Sequence, residues 1–101
     1  MSFTVRVTPQ GASDLDRTLT YLRGESPQAA ENFRARFSEI LEQLTKFDTS
    51  RSTRDPRYRI LNTHPFPYLI FLRRRGQKIE IVAIRHGARN PRSHARPAAL
   101  R

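Results

Sequence analysis

The sequence predicts an α+β fold of order β-α-α-β-β-β, a helical hairpin packed on one face of a small, mainly antiparallel sheet. Three observations carry this. A short stretch of alternating apolar residues opens the chain. Two segments with apolar spacings of three and four follow, each introduced by a hydroxyl residue and a proline. The last third holds two runs rich in Ile, Val, Leu, Phe and Tyr around a short Gly-containing connection, the sequence form of paired strands.

From Ser2 to Val7, Phe3, Val5 and Val7 alternate with Thr4 and Arg6, the period of a strand with one buried face. Thr8-Pro9 then supplies an N-cap and a proline at the first helical position, with Asp14 and Asp16 towards the N-terminal side. Ala12, Leu15, Leu19 and Leu22 form one narrow stripe, and Gly24 is placed to end the helix as a left-handed C-cap. Ser26-Pro27 repeats the start signal for a second helix carrying Ala30, Phe33, Phe37, Ile40, Leu41, Leu44 and Phe47 on one side, with Phe33 and Phe37 read as core. A connection of about four residues makes the two helices an antiparallel hairpin. Residues 48–57 are polar and basic without periodicity and are read as an exposed loop. Residues 58–61 are a short strand, and residues 62–67, with Pro65 and Pro67, a turn. Tyr68–Leu72 and Ile79–Ile84 are strands apolar enough to be central in the sheet, joined through residues 73–78.

At 101 residues the chain suffices for one domain, 1–101, with a modest core; residues 91–101 are expected to form a flexible basic tail. The absence of cysteine excludes a disulfide framework and thiolate metal sites. No apolar leader or run of about 18 apolar residues marks export or membrane insertion, so a cytoplasmic location is expected. The net charge of +10 is unevenly placed: residues 1–50 carry six basic and seven acidic side chains, residues 51–101 thirteen and two. Seventeen of the nineteen cations are Arg, whose planar fork suits phosphate and carboxylate. Such an asymmetry points to an anionic partner for the second half.

Few chemistries fit these residues. The four glycines make no phosphate-cradling loop, and His64, His86 and His94 lack the nearby carboxylates that metal binding or triad chemistry requires, so no metal or cofactor is expected. A cationic surface with histidines remains. Arg59, Arg85, His86, Arg89 and Arg92 are read as able to gather near one end of the sheet, where Arg would stabilise phosphate charge and His move a proton, as metal-free ribonucleases do.

These segments together resemble the RelE/ParE superfamily of toxins from type II toxin–antitoxin modules, also called plasmid stabilisation proteins. The likeness lies in the Thr8-Pro9 helix start with its following Ala-Ser-Asp-Leu-Asp, in Ser26-Pro-Gln-Ala-Ala-Glu-Asn-Phe33, and in Tyr58-Arg-Ile-Leu61. It continues through Phe66-Pro-Tyr-Leu-Ile-Phe71 and Ile81-Val-Ala-Ile-Arg-His-Gly-Ala-Arg89. The resemblance implies cytoplasmic toxicity and neutralisation by an antitoxin that wraps the toxin. It also implies one of two activities: RelE-like cleavage of messenger RNA on the ribosome, or ParE-like inhibition of DNA gyrase. RelE-like members carry Arg after the Tyr that opens the penultimate strand; here that place is Leu69. Arg89 matches the Arg after the last strand, but no Tyr follows Tyr68.

The resemblance therefore implies a ParE-like gyrase inhibitor without a catalytic site of its own. The alternatives are a metal-independent mRNA endonuclease using Arg59, His86 and Arg89, and a non-toxic relic that only binds its antitoxin. Contacts with target or acidic antitoxin are assigned to Arg73, Arg74, Arg75, Arg85, His86, Arg89 and Arg92, the partners being the antitoxin and either gyrase or the ribosome with its mRNA, with no membrane.

Overall fold

The computed structural model describes residues 2–87. Strand β1 (Thr4–Val7) leads into helices α1 (Pro9–Glu25) and α2 (Pro27–Leu44), followed by strands β2 (Arg51–Ser52), β3 (Arg59–Asn62), β4 (Tyr68–Arg75) and β5 (Lys78–His86). The strands form one sheet in the order β1-β5-β4-β3-β2. All neighbours are antiparallel except β1 and β5, which pair in parallel. The α+β class and the helix-pair-on-sheet arrangement are as the sequence predicts.

Both helix starts form as their residues dictate. Thr8 is extended and its Oγ1 accepts the Gly11 N–H at 3.1 Å, while Pro9 occupies the first turn where no donor is needed. Gly24 does not act as the C-cap. Helix α1 runs through it to Glu25, and Ser26 closes α1 by donating its N–H to Leu22 O at 2.9 Å. The same Ser26 opens α2, its Oγ accepting from Ala29 N–H. Pro27 explains the correction: it drives the residue before it out of the helical region, and Ser26 accordingly sits at φ −167°, ψ 144°. The connection between the helices is this single residue rather than about four. At the far end α2 stops at Leu44, three residues before Phe47, which is 70% exposed rather than part of the apolar side.

The main core lies between the helices and the sheet. Phe33, Phe37, Ile40 and Leu44 of α2 and Leu19 of α1 meet Tyr68, Ile70, Leu72, Ile79, Ile81 and Ile84. Phe33 anchors it, its ring edge-on to both Phe66 and Tyr68 at 5.2 and 5.3 Å between centroids. A second cluster, Ile60, Leu69, Phe71, Val82 and Ala83 with Tyr58, occupies the other face. This explains why β4 and β5 read as apolar without alternation: both faces are buried. A bulge where Phe71 pairs with Ala83 but Leu72 with Ile81 leaves Val82 extra. The bulge changes the phase, so that Ile79, Ile81 and Ile84 all reach the helix side.

Two boundaries differ from the sequence reading. Residues 73–75 and 78, expected in the connection, belong to β4 and β5; the turn is only Gly76-Gln77, with Gly76 at φ +58°. The expected loop at 48–57 contributes the short strand β2, docked on β3. No helix among the described residues is long and apolar enough to cross a membrane.

Candidate functional site

The antiparallel hairpin of β4 and β5 separates the sequence-predicted residues into two groups. His86 lies opposite Tyr68 and Arg85 opposite Leu69, whereas Arg73, Arg74 and Arg75 lie opposite Glu80, Ile79 and Lys78 at the turn end. Arg59 faces Leu72. It is therefore four residues along β4 from the Tyr68 row, roughly 13 Å at about 3.3 Å per residue. Arg59 does not gather with Arg85 and His86 at one sheet end, because strand register carries it away from them. Arg89, Arg92, His94 and the expected tail 91–101 lie outside the described residues.

At the His86 end, α1 replaces a strand. Strand β1 ends at Val7 opposite Ile81, and beyond that point the edge of β5 is paired by helix residues. The Thr8 N–H and Oγ1 both donate to Ile81 O at 3.0 Å. The Asp14 carboxylate accepts the Ile84 N–H at 2.9 Å, Gln10 Nε2 at 3.0 Å and the Arg85 guanidinium. The sequence position of Asp14 fits an acid at the helix N-terminal dipole, but its side chain is only 1% exposed and serves the sheet edge. Arg85 also donates to Ile84 O at 3.0 Å and is largely covered, so it orients this end more than it offers a free charge.

Above this ion pair lies a cleft of about 320 Å³ walled by Arg17 and Tyr21 of α1 and by Tyr68, Arg85 and His86. The His86 ring stands edge-on to Tyr68, 5.3 Å between centroids, and Tyr21 is 48% exposed. Tyr and Arg beside a cleft are the side chains that anchor protein interfaces. Asp14 is already committed to Ile84, Gln10 and Arg85, so it does not stand as a base beside His86. Tyr21 and Arg17 escaped the sequence reading; their one signal was an i, i+4 pairing on a helix otherwise read for its apolar stripe.

At the turn end, carboxylates lie beneath arginines. Asp48 accepts from Ser50 N–H and Oγ and from Arg74 Nη1 at 3.0 Å, with Arg59 Nε 3.6 Å away. Burial alone would raise the Asp48 pKa, but the Ser50 hydroxyl and amide, Arg74 and Arg59 together hold it below the ordinary carboxylate value. Arg59 also donates to Ser50 Oγ and O, both at 2.7 Å, pinning the segment before β2 to β3. Glu80 lies between Arg6 and Arg73 across three adjacent strands, at 3.4 and 2.8 Å. Leu69, at the position where the nuclease pattern has Arg, is buried in the second cluster. Among the described residues no three His, Asp or Glu side chains come together to hold a metal ion.

Comparison with known proteins agrees with this architecture. Residues 5–91 match the family described as the ParE toxin of the type II toxin–antitoxin system parDE. No curated protein matches the sequence. A solved structure described as the chromosomal ParDE TA system from P. aeruginosa superposes with a TM-score of 0.71 at 22% identity, covering 84% of this chain and 96% of that one.

Proposed function

Because this chain belongs to the ParE toxin family of type II toxin–antitoxin systems, we propose that it arrests growth by binding DNA gyrase in the cytoplasm, without a catalytic site of its own, and that a cognate acidic antitoxin neutralises it. The observation that carries the non-catalytic part is the separation of Arg59 from His86. A nuclease built on those two residues and Arg89 would need them around one phosphate, whereas Arg59 is bound to Ser50 and Asp48 at the far end of the sheet. The burial of Leu69 supports the same reading, since a cation there would be enclosed among Ile60, Phe71 and Ala83.

The cleft of Arg17, Tyr21, Tyr68 and His86 is the surface we assign to the target, with Arg85 positioned by Asp14 beside it. An antitoxin partner is supported by the paired system named for the solved relative and by the excess of positive charge in the second half.

Purified toxin should inhibit supercoiling by gyrase and leave messenger RNA intact on translating ribosomes. Tyr21→Ala with His86→Ala should weaken gyrase inhibition by about tenfold or more, the loss typical of an interface anchor. Ribosome-dependent RNA cleavage with gyrase untouched would replace this reading by the endonuclease one. Expression without growth arrest, together with retained antitoxin binding, would replace it by the non-toxic one.

A further inference from the structure

The turn end of the sheet carries a cationic surface that the gyrase reading does not use. Three adjoining clefts of about 600, 310 and 280 Å³ wrap the β4–β5 turn, with Arg73, Arg75 and Lys78 on the face away from the helices, Arg74 on the helix face over Phe3, and Arg57 and Arg59 beside them on the neighbouring segment. Three carboxylates accompany these six cations, and each sits deeper than its partner. Asp48 is 2% exposed against 41% for Arg74, Asp55 12% against 68% for Arg57, and Glu80 27% against 37% for Arg73. The acids therefore act from below. They fix three guanidiniums in place while leaving their outer edges to solvent, which lowers the ordering cost of receiving an anion.

Arg75 and Lys78 make the second point. They face each other directly across the hairpin, both exposed, and neither forms an ion pair among the described residues. Like charges in that position destabilise a hairpin. An anion placed over them removes the repulsion.

We propose that this surface binds the phosphate backbone of duplex DNA. The lining selects among polyanions. Arg57 already covers the Tyr58 ring at 5.4 Å and Arg74 the Phe3 ring at 4.6 Å, so these aromatics give neither a stacking platform for unpaired bases nor an apolar anchor for a peptide. What the clefts do present is guanidinium, ammonium and the hydroxyl residues Ser52 and Thr53, the groups that contact phosphate on a duplex without reading sequence. The proposal rests on the chemistry of this surface and not on gyrase as the target.

The test is binding of the full-length toxin to fluorescent duplexes of roughly 20 base pairs and unrelated sequence, between about 50 and 200 mM salt. Duplexes of different sequence should bind alike. Arg75→Gln/Lys78→Gln should reduce the slope of log affinity against log salt by about two, equally for all sequences. Its thermal midpoint should be unchanged or higher, which separates lost contacts from unfolding. Arg23→Gln/Arg34→Gln, the same charge change on the helices, should alter the slope far less. Three results would overturn the proposal: wild-type slope in the hairpin variant, loss of binding only on neutralising Arg89, Arg92 and Arg96, or tighter binding of single strands or of a poly-glutamate peptide than of duplex.

Discussion

At Gly11 helix α1 lies directly against the sheet, and a single methyl decides whether it can. A Cβ built there would lie 2.5 Å from Ile81 O and 3.1 Å from Val7 Cγ1, and neither a strand carbonyl nor its neighbour can withdraw cheaply. Gly11→Ala should therefore lower the thermal midpoint by several degrees, equivalent to about 1–3 kcal/mol of overpacking, despite the better helix propensity of Ala. The same approach brings Asp14 onto Ile84 and Arg85. Asp48 is the corresponding buried acid at the other end. Its folded pKa is lowered, so its contribution is complete above the unfolded value near 3.8 and fades as pH falls through the lower folded one. Asp48→Asn should thus be less stable than the native protein near neutrality, and the gap should narrow below about pH 4, as read by thermal melts across that range. Neither acid was legible as a buried group in the sequence. Asp14 fits an N-terminal helix acid equally well, and Asp48 stands in a polar run, because burial depends on which strand arrives opposite.

Among the elements, the β4–β5 hairpin decides most. The apolar runs located both strands, and Gly76 located the turn, but the arginines beside it read as loop. Strand pairing extends through Arg73–Arg75 because Glu80 answers Arg73 across the hairpin and Asp48 answers Arg74 from below. Arg73 and Arg74 are thereby tied to carboxylates on a paired strand. If an acidic antitoxin is drawn by this charge, neutralising Arg73, Arg74 and Arg75 should weaken the complex at low salt, mainly through its association rate, and the difference should shrink as salt rises. A complex indifferent to salt and to these changes would show that charge is incidental to it. The helical pair was legible almost to the residue at its starts, since Thr8-Pro9 and Ser26-Pro27 act locally. Its ends were not, because Pro27 overrode Gly24 and nothing local marks the exposure of Phe47.

Over the whole molecule, the two ends of the sheet have different characters. One carries a cleft of aromatic and basic groups under α1, the other exposed cations over buried acids. The gyrase and DNA readings separate on this division. Changes at Tyr21 and His86 should leave duplex binding intact, whereas changes at Arg75 and Lys78 should weaken it and lower its salt slope; supercoiling and anisotropy measurements on the same variants distinguish the two surfaces.

The order of the elements apart from β2, the helix starts, the two-sided burial of the central strands and the asymmetry of charge follow from the sequence alone, since each arises from period, capping or composition over a few neighbouring residues. The division of the arginines between the ends, the role of Arg59 as a brace on Ser50 and Asp48, and the burial of Asp14 required the tertiary structure. They depend on register across a hairpin and on α1 taking the place of a strand beside β5, relations between residues as far apart as 14 and 84 that no local pattern encodes.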